Sequence, residues 1–186
     1  WLIAILTRAV YPVVSLVPGA VPEASVYFAL TALVMALMWV GVVRLVAELA
    51  GNRVWDALLV AASPLVIAHA FTNWDIPSIL AATLALWCFS RRQPVAAGVF
   101  IGLGTAFKLW PLFLLGAFLV LAVRTRRYAP LAKLFAATVV TWLVCNVSVA
   151  IVYPQAWAEF FRLNSQRSWE WTTIYAVIGR EFGWSG

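Results

Sequence analysis

Read only for hydrophobic and polar positions, the chain is a series of apolar runs separated by short polar breaks. The runs extend from Ser25 to Ala47, Val54 to Phe71, Ile76 to Phe89, Val95 to Phe107, Leu109 to Val123 and Leu131 to Tyr153. The longest match the roughly 20 residues that an α-helix needs to cross the hydrocarbon core of a bilayer. Two are only about fourteen residues long, short for a full span unless joined in broken or re-entrant pairs sheltered by protein. Residues 1–20, interrupted by Arg8, Pro12 and Pro18, predict a tilted or interfacial helix. The pattern therefore predicts an all-α fold, a polytopic transmembrane helical bundle with short and broken helices.

Composition reinforces the pattern. Of 186 residues, 65% are hydrophobic and 11% charged, and the mean hydropathy is +0.94, outside the range of a soluble globular domain. The net charge of +6 would suggest nucleic acid in a soluble protein. Here the cations gather in short loops between apolar runs, where they set orientation, so no nucleic-acid partner is expected. By the positive-inside rule the loops at Arg44 and Arg53, at Arg91 and Arg92, and at Arg124, Arg126, Arg127 and Lys133 lie in the cytoplasm. Counting crossings places "FTNWD" (71–75) and "FKLWP" (107–111) near the outer face, with residues 154–186 outside or along the outer surface. Residues 1–186 read as one membrane domain, expected to be part of a longer chain because it starts at Trp1 and stops in mid-phrase at "EFGWSG". Cys88 and Cys145 sit inside apolar runs as packing residues. The lone His69 and the scattered acids offer no metal cluster.

The polar residues that interrupt the apolar runs carry the candidate chemistry. Asp75 follows Asn73 and precedes Ile76-Pro77, so it suits the start of a helix, as a cap or as a carboxylate at the mouth of a membrane cavity that contacts a sugar hydroxyl. Lys108 breaks an apolar run just before Pro111. It either snorkels to the interface or offers a compact ammonium to a phosphate. Gly98, Gly102 and Gly104 precede it at a spacing suited to close helix contact. His69 reads as a hydrogen-bonded structural residue, and Asn146 as an interhelical hydrogen-bonding group. In the outer segment, Arg162, Asn164, Gln166 and Arg167 alternate with Trp157, Phe160, Phe161, Trp169, Trp171 and Tyr175. An interfacial aromatic belt explains part of this. The mixture also suits sugar hydroxyls stacked on rings and phosphate oxygens held by arginine.

Taken in order, "FTNWDIPSILAATLALW", "RRQPVAAGVFIGLGTAFKLWPLFLL" and "FFRLNSQRSWEWTTIYAVI" resemble the membrane glycosyltransferases of family 87, in the GT-C class of polyprenyl-phosphate-sugar-dependent enzymes. The middle stretch, a small-residue helix running into Lys, an aromatic and Pro, carries most of the likeness, which extends from about Ser25 to Ile178. The resemblance implies transfer of a sugar, commonly mannose, from a polyprenyl phosphate to a lipid or glycan acceptor. It places this activity on the outer face of a bacterial plasma membrane, in a multi-pass protein. It also implies a catalytic aspartate in the first extracytoplasmic loop, which the sequence does not show. Upstream of Asp75 the acids are Glu23, Glu48 and Asp56, the last two on the cytoplasmic side. That loop is expected before Trp1, leaving the catalytic residue unassigned and Asp75 a weak candidate.

The chemistry of the residues agrees with this reading. Direct displacement at an anomeric carbon needs a carboxylate to take the acceptor proton and cations to stabilise the departing phosphate. Lys108, Arg162 and Arg167 supply the second requirement. Retention by double displacement needs two carboxylates about 5 Å apart, which the sequence does not favour. The expected substrate-binding set is Asn73, Asp75, Lys108, Arg162, Asn164, Arg167, Trp169 and Tyr175, with no metal and no cofactor. The lipid-linked donor is a substrate, and membrane lipids surround the chain. Two other classes remain open: a lipid or sugar-lipid transporter, which an inverted repeat would mark though none is evident, and a non-catalytic assembly subunit.

Overall fold

The computed structural model describes residues 2–16, 19, 21–64, 66, 74–166 and 174–182, and among them every regular element is helical. Helix α1 spans Leu2–Val14 and α2 spans Glu23–Ala50, followed by a 3₁₀ turn at Gly51–Arg53 and the short α3 at Asp56–Ala61. Next come α4 at Asp75–Ser90 and α5 at Pro94–Phe107. A 3₁₀ turn at Trp110–Phe113 leads into α6 at Leu114–Thr125. Helix α7 is Tyr128–Val152, α8 is Pro154–Ser165 and α9 is Ile174–Phe182. The chain divides into two compact units, Trp1–Leu143 and Val144–Gly186.

Two helical stretches are long and apolar enough to cross a membrane, Glu23–Arg53 and Tyr128–Val152. They correspond to the first and last long apolar windows. The windows at 76–89 and 95–107 become the shorter helices α4 and α5. The window at 109–123 is divided between the 3₁₀ turn and α6. In the described part of the window at 54–71, the first helix, α3, covers only six residues and ends at Ala61. Pro64 follows shortly after, and its ring is incompatible with the interior of a continuing helix. Along α2 the side chains of Leu33, Leu37 and Val40 are 56%, 64% and 65% exposed. Large aliphatic groups left that bare on a long helix need an apolar solvent such as lipid.

Within the first unit the helices pack as hairpins. The α4–α5 turn is compact because α4 closes with Arg92 in the left-handed region (φ 60°) and α5 opens on Pro94, whose missing N–H costs nothing in the first turn. The hydroxyl of Ser78, near the start of α4, donates to the carbonyl of Gly104, near the end of α5, at 3.2 Å. The two helices therefore run antiparallel. Their buried contacts centre on Ala85, Cys88, Ala97 and Ile101, joined by Phe118 of α6 and Leu134 of α7. The Phe89 and Phe118 rings meet at 4.2 Å.

Glycine makes the α5–α7 seam possible. A Cβ on Gly98 would stand 2.2 Å from the carbonyl oxygen of Leu134, and one on Gly102 would stand 2.7 Å from that of Thr138. Thr138 secures the approach with a hydroxyl that donates to the carbonyls of Gly98 (3.1 Å) and Leu134 (3.0 Å). Ascending numbers on α5 meet ascending numbers on α7, so these two helices run parallel. Helices α2 and α4 are parallel as well, since Gly41 lies against Leu80 and Glu48 bonds Trp87.

Candidate functional site

These directions sort the charges of the first unit to two ends. The C-termini of α2, α4 and α6 and the N-termini of α5 and α7 share one end, which holds Arg44, Arg91, Arg92, Arg124, Arg126 and Arg127. The opposite end of the α4–α5 hairpin holds one acid and one base. Asp75 begins α4 and Lys108 caps α5, and their side chains form an ion pair.

The local sequence accounts for each half of the pair. Asp75 occupies the first helical position, with Ile76 and Pro77 completing a turn that needs few backbone donors. Trp74 holds the cap position, and no side chain caps this helix. The expectation that Asp75 caps α4 is thus corrected: its carboxylate is directed to Lys108. A negative charge at a helix N-terminus and a positive one at a helix C-terminus are each favoured by the adjacent end of the dipole. Lys108 leaves the helix with extended backbone (φ −150°, ψ 145°), while its N–H still bonds the Gly104 carbonyl at 2.9 Å. Pro111, buried beside Gly104, fixes the break.

The pair lies at an accessible boundary, with the Lys108 and Asp75 side chains 37% and 40% exposed. Phe107, Leu109, Trp110 and Trp74 around it are exposed too. An ammonium carries three donors, so engagement with one carboxylate oxygen leaves others for an incoming anion. Sequence reasoning gave Asp75 and Lys108 separate roles, and the fold makes them partners.

The remaining expected residues belong to the second unit or lie outside the described residues. Asn73, Arg167 and Trp169 lie outside them, as does His69, and for Tyr175 only its place in α9 is described. Arg162 is held on α8 by Glu159, through two charge-assisted contacts, and it donates to Gln166 at 2.9 Å. Asn164 donates to the carbonyl of Phe160 at 2.7 Å. Trp157, Phe160 and Phe161 form edge-on ring contacts. Trp157 also donates to Asn146 at 3.4 Å, linking α8 to the last turns of α7. Apolar rings at i, i+3 and i+4 with Glu159 and Arg162 off that line make α8 amphipathic, the form of a helix lying in a membrane interface.

The Arg162 guanidinium holds the Glu159 carboxyl below the usual glutamate range, and Glu159 in turn raises Arg162. A depressed carboxylate supports the helix above the ordinary glutamate value, about pH 4.3, and loses that support as pH falls through the lower folded-state value. Carboxyl NMR on the solubilised protein should therefore give Glu159 a midpoint below the ordinary value, and Arg162→Gln should move it upward. An unchanged midpoint in the variant would show that the contact is not maintained in solution.

One cluster went unnoticed in the sequence. Glu48 accepts from the Trp87 indole at 2.7 Å and pairs with Arg91 at 3.4 Å and Arg44 at 3.5 Å. Arg91 also stacks 4.2 Å over the Trp87 ring. The i,i+4 spacings of Arg44–Glu48 and Trp87–Arg91 were the available signal, although neither reveals that the two couples meet. Among the described residues no group of His, Cys, Asp and Glu could hold a metal.

Among the described residues the chain is thus all-helical, with two helices long and apolar enough to cross a membrane and an acid–base pair at a helix break. Residues 9–186 match the model of glycosyltransferase family 87. The chain belongs to that family, whose members transfer sugars. No curated protein and no solved structure matches it.

Proposed function

We propose that this chain moves a sugar, with mannose favoured, from a polyprenyl-phosphate carrier to a lipid or glycan acceptor at the outer face of a bacterial plasma membrane, as a multi-pass protein. The observation that carries the reading is the Asp75–Lys108 pair at the break after α5, at the end opposite the basic helix ends. An orientation with the basic end in the cytoplasm sets this pair at the outer boundary, where a carrier phosphate sits with its chain in lipid.

Lys108 presents its unengaged donors to the departing phosphate, and Asp75 holds the ammonium at the helix end. Charge stabilisation of this kind lowers the barrier when donors are already aimed at the oxygens that gain charge. Asp75 is then a positioning residue. One Asp75 oxygen is taken up by Lys108, and the proton acceptor for the incoming hydroxyl is assigned to another carboxylate. Arg162, Asn164, Arg167, Trp169 and Tyr175, together with Asn73, are proposed to contact donor or acceptor, with no metal or cofactor.

The test is a transfer assay on the full-length protein in lipid, with matched polyprenyl-phosphate and nucleotide-linked sugars. Transfer from the polyprenyl donor alone is expected. Transfer from the nucleotide sugar alone would overturn the donor assignment.

A further inference from the structure

The basic end of the first unit contains a second feature that the transfer reaction does not use. A cavity of about 310 Å³ opens between the end of α4, the last turns of α6 and the start of α7. Phe89, Phe118, Leu121 and Leu131 give it hydrocarbon walls, and Arg92 and Arg127 are its two cations. Both arginines are exposed, and among the described residues neither is engaged in an ion pair or side-chain hydrogen bond. Arg44, Arg53 and Arg91, by contrast, all have carboxylate partners.

The backbone adds an independent observation. Helices α4 and α6 end in the same way. Gln93 N–H bonds the Cys88 carbonyl and Arg127 N–H bonds the Ala122 carbonyl, each at 3.0 Å. Each motif requires one left-handed residue, a position that glycine fills at least cost. Here arginine fills both, Arg92 at φ 60° and Arg126 at φ 54°. Arg126 lies outside the cavity lining, next to Arg127, whereas Arg92 lines the cavity itself, and its retention in an unfavourable backbone conformation there indicates that its side chain is required.

We propose that this cavity binds an anionic phospholipid of the leaflet at the basic end, its phosphate on Arg92 and Arg127 and part of an acyl chain against Phe89, Phe118, Leu121 and Leu131. Charge and hydrocarbon occur together in that ligand, and anionic lipids draw basic residues at a membrane surface. The sugar donor is not the occupant. Helix α4, with 16 residues, separates this cavity from Lys108 by about 24 Å at 1.5 Å per residue, too far for one phosphate to serve both.

The experiment follows thermal unfolding of the full-length protein in detergent while phosphatidylglycerol, phosphatidylcholine or inorganic phosphate is added. Phosphatidylglycerol should raise the Tm of the wild type and of Arg124→Gln, which removes a nearby charge outside the cavity. The Arg92→Gln/Arg127→Gln double variant should need roughly ten- to a hundredfold more lipid for the same rise, as expected when charge-assisted contacts are lost. An equal response in the double variant would reduce the effect to diffuse attraction and overturn the site. Equal efficacy of phosphatidylcholine would remove the role of the anion. Full replacement by inorganic phosphate would make it a free-anion site, and either result rejects the proposal. Arg92→Gly guards against misfolding, because glycine relaxes the left-handed position. Its lipid-free Tm should be maintained or rise by roughly 2–4 °C, while its phosphatidylglycerol response weakens. A full lipid response in that variant would also defeat the proposal.

Discussion

Replacing Lys108 by Met is expected to lower transfer at subsaturating donor by about tenfold to more than a hundredfold. Met keeps an unbranched stem of similar reach but removes the ammonium. A charge-assisted contact to a phosphate contributes roughly 1.5–3 kcal/mol, and about 1.4 kcal/mol corresponds to a factor of ten in rate. The loss should exceed any change in folding, because the Asp75–Lys108 pair is more than a third exposed and pairs of that kind contribute about 0–1 kcal/mol to stability. Lys108→Arg should recover part of the activity, since it restores charge in a different shape. Asp75→Asn should leave the ammonium in place but less well aimed, with a smaller loss than Lys108→Met. The measurement is donor-dependent turnover beside Tm for each variant. Wild-type turnover in Lys108→Met would mean that the pair is only a clasp between two helix ends.

The largest effect on stability is expected at Gly98. A methyl group there would lie 2.2 Å from the Leu134 carbonyl oxygen and 2.8 Å from the Ala137 methyl. Backbone cannot rotate aside, so α5 and α7 must separate along the seam, and the Thr138 bond to the Gly98 carbonyl must lengthen. Gly98→Ala should cost on the order of 3 kcal/mol or more, at the upper end of overpacking effects. Gly102→Ala should be nearly as damaging. Gly116→Ala is the control, because nothing lies within 4 Å of its position. It should be neutral or stabilising by up to about 1 kcal/mol, the helix-propensity difference. Unfolding of the three variants in one detergent separates them, and a tolerated Gly98→Ala would show that the seam is looser than the structure has it.

Much of this architecture was legible in the pattern of apolar residues, although not evenly. Helix α4 matches its window to within one residue at each end because Asp75 with Pro77 marks its start and "SRRQP" marks its end. The window at 54–71 did not translate into one helix, since hydropathy counts residues and takes no account of the backbone restriction at Pro64. The Asp75–Lys108 pair was more accessible to reasoning than it first looked. Helices of 16 and 14 residues joined by a tight turn must bring the first residue of one beside the last of the other. The Glu48 cluster is different, because it depends on α2 and α4 lying parallel, which no local spacing encodes. The same holds for the cavity between α4, α6 and α7, where the one local signal was Arg92 at a position that glycine normally fills.

The parallel setting of α2 and α4 also bears on the order in which the chain is assembled. Glu48 precedes Arg91 by 43 residues, so a growing chain makes the acid long before its distant partners. Until then Arg44, one turn away on the same helix, is the nearest cation. Helix α4 must be synthesised to its last turn before Trp87 and Arg91 can reach the carboxylate. The contact is thus a late latch. It can hold α4 once that helix has reached its place, but it cannot guide the helix there.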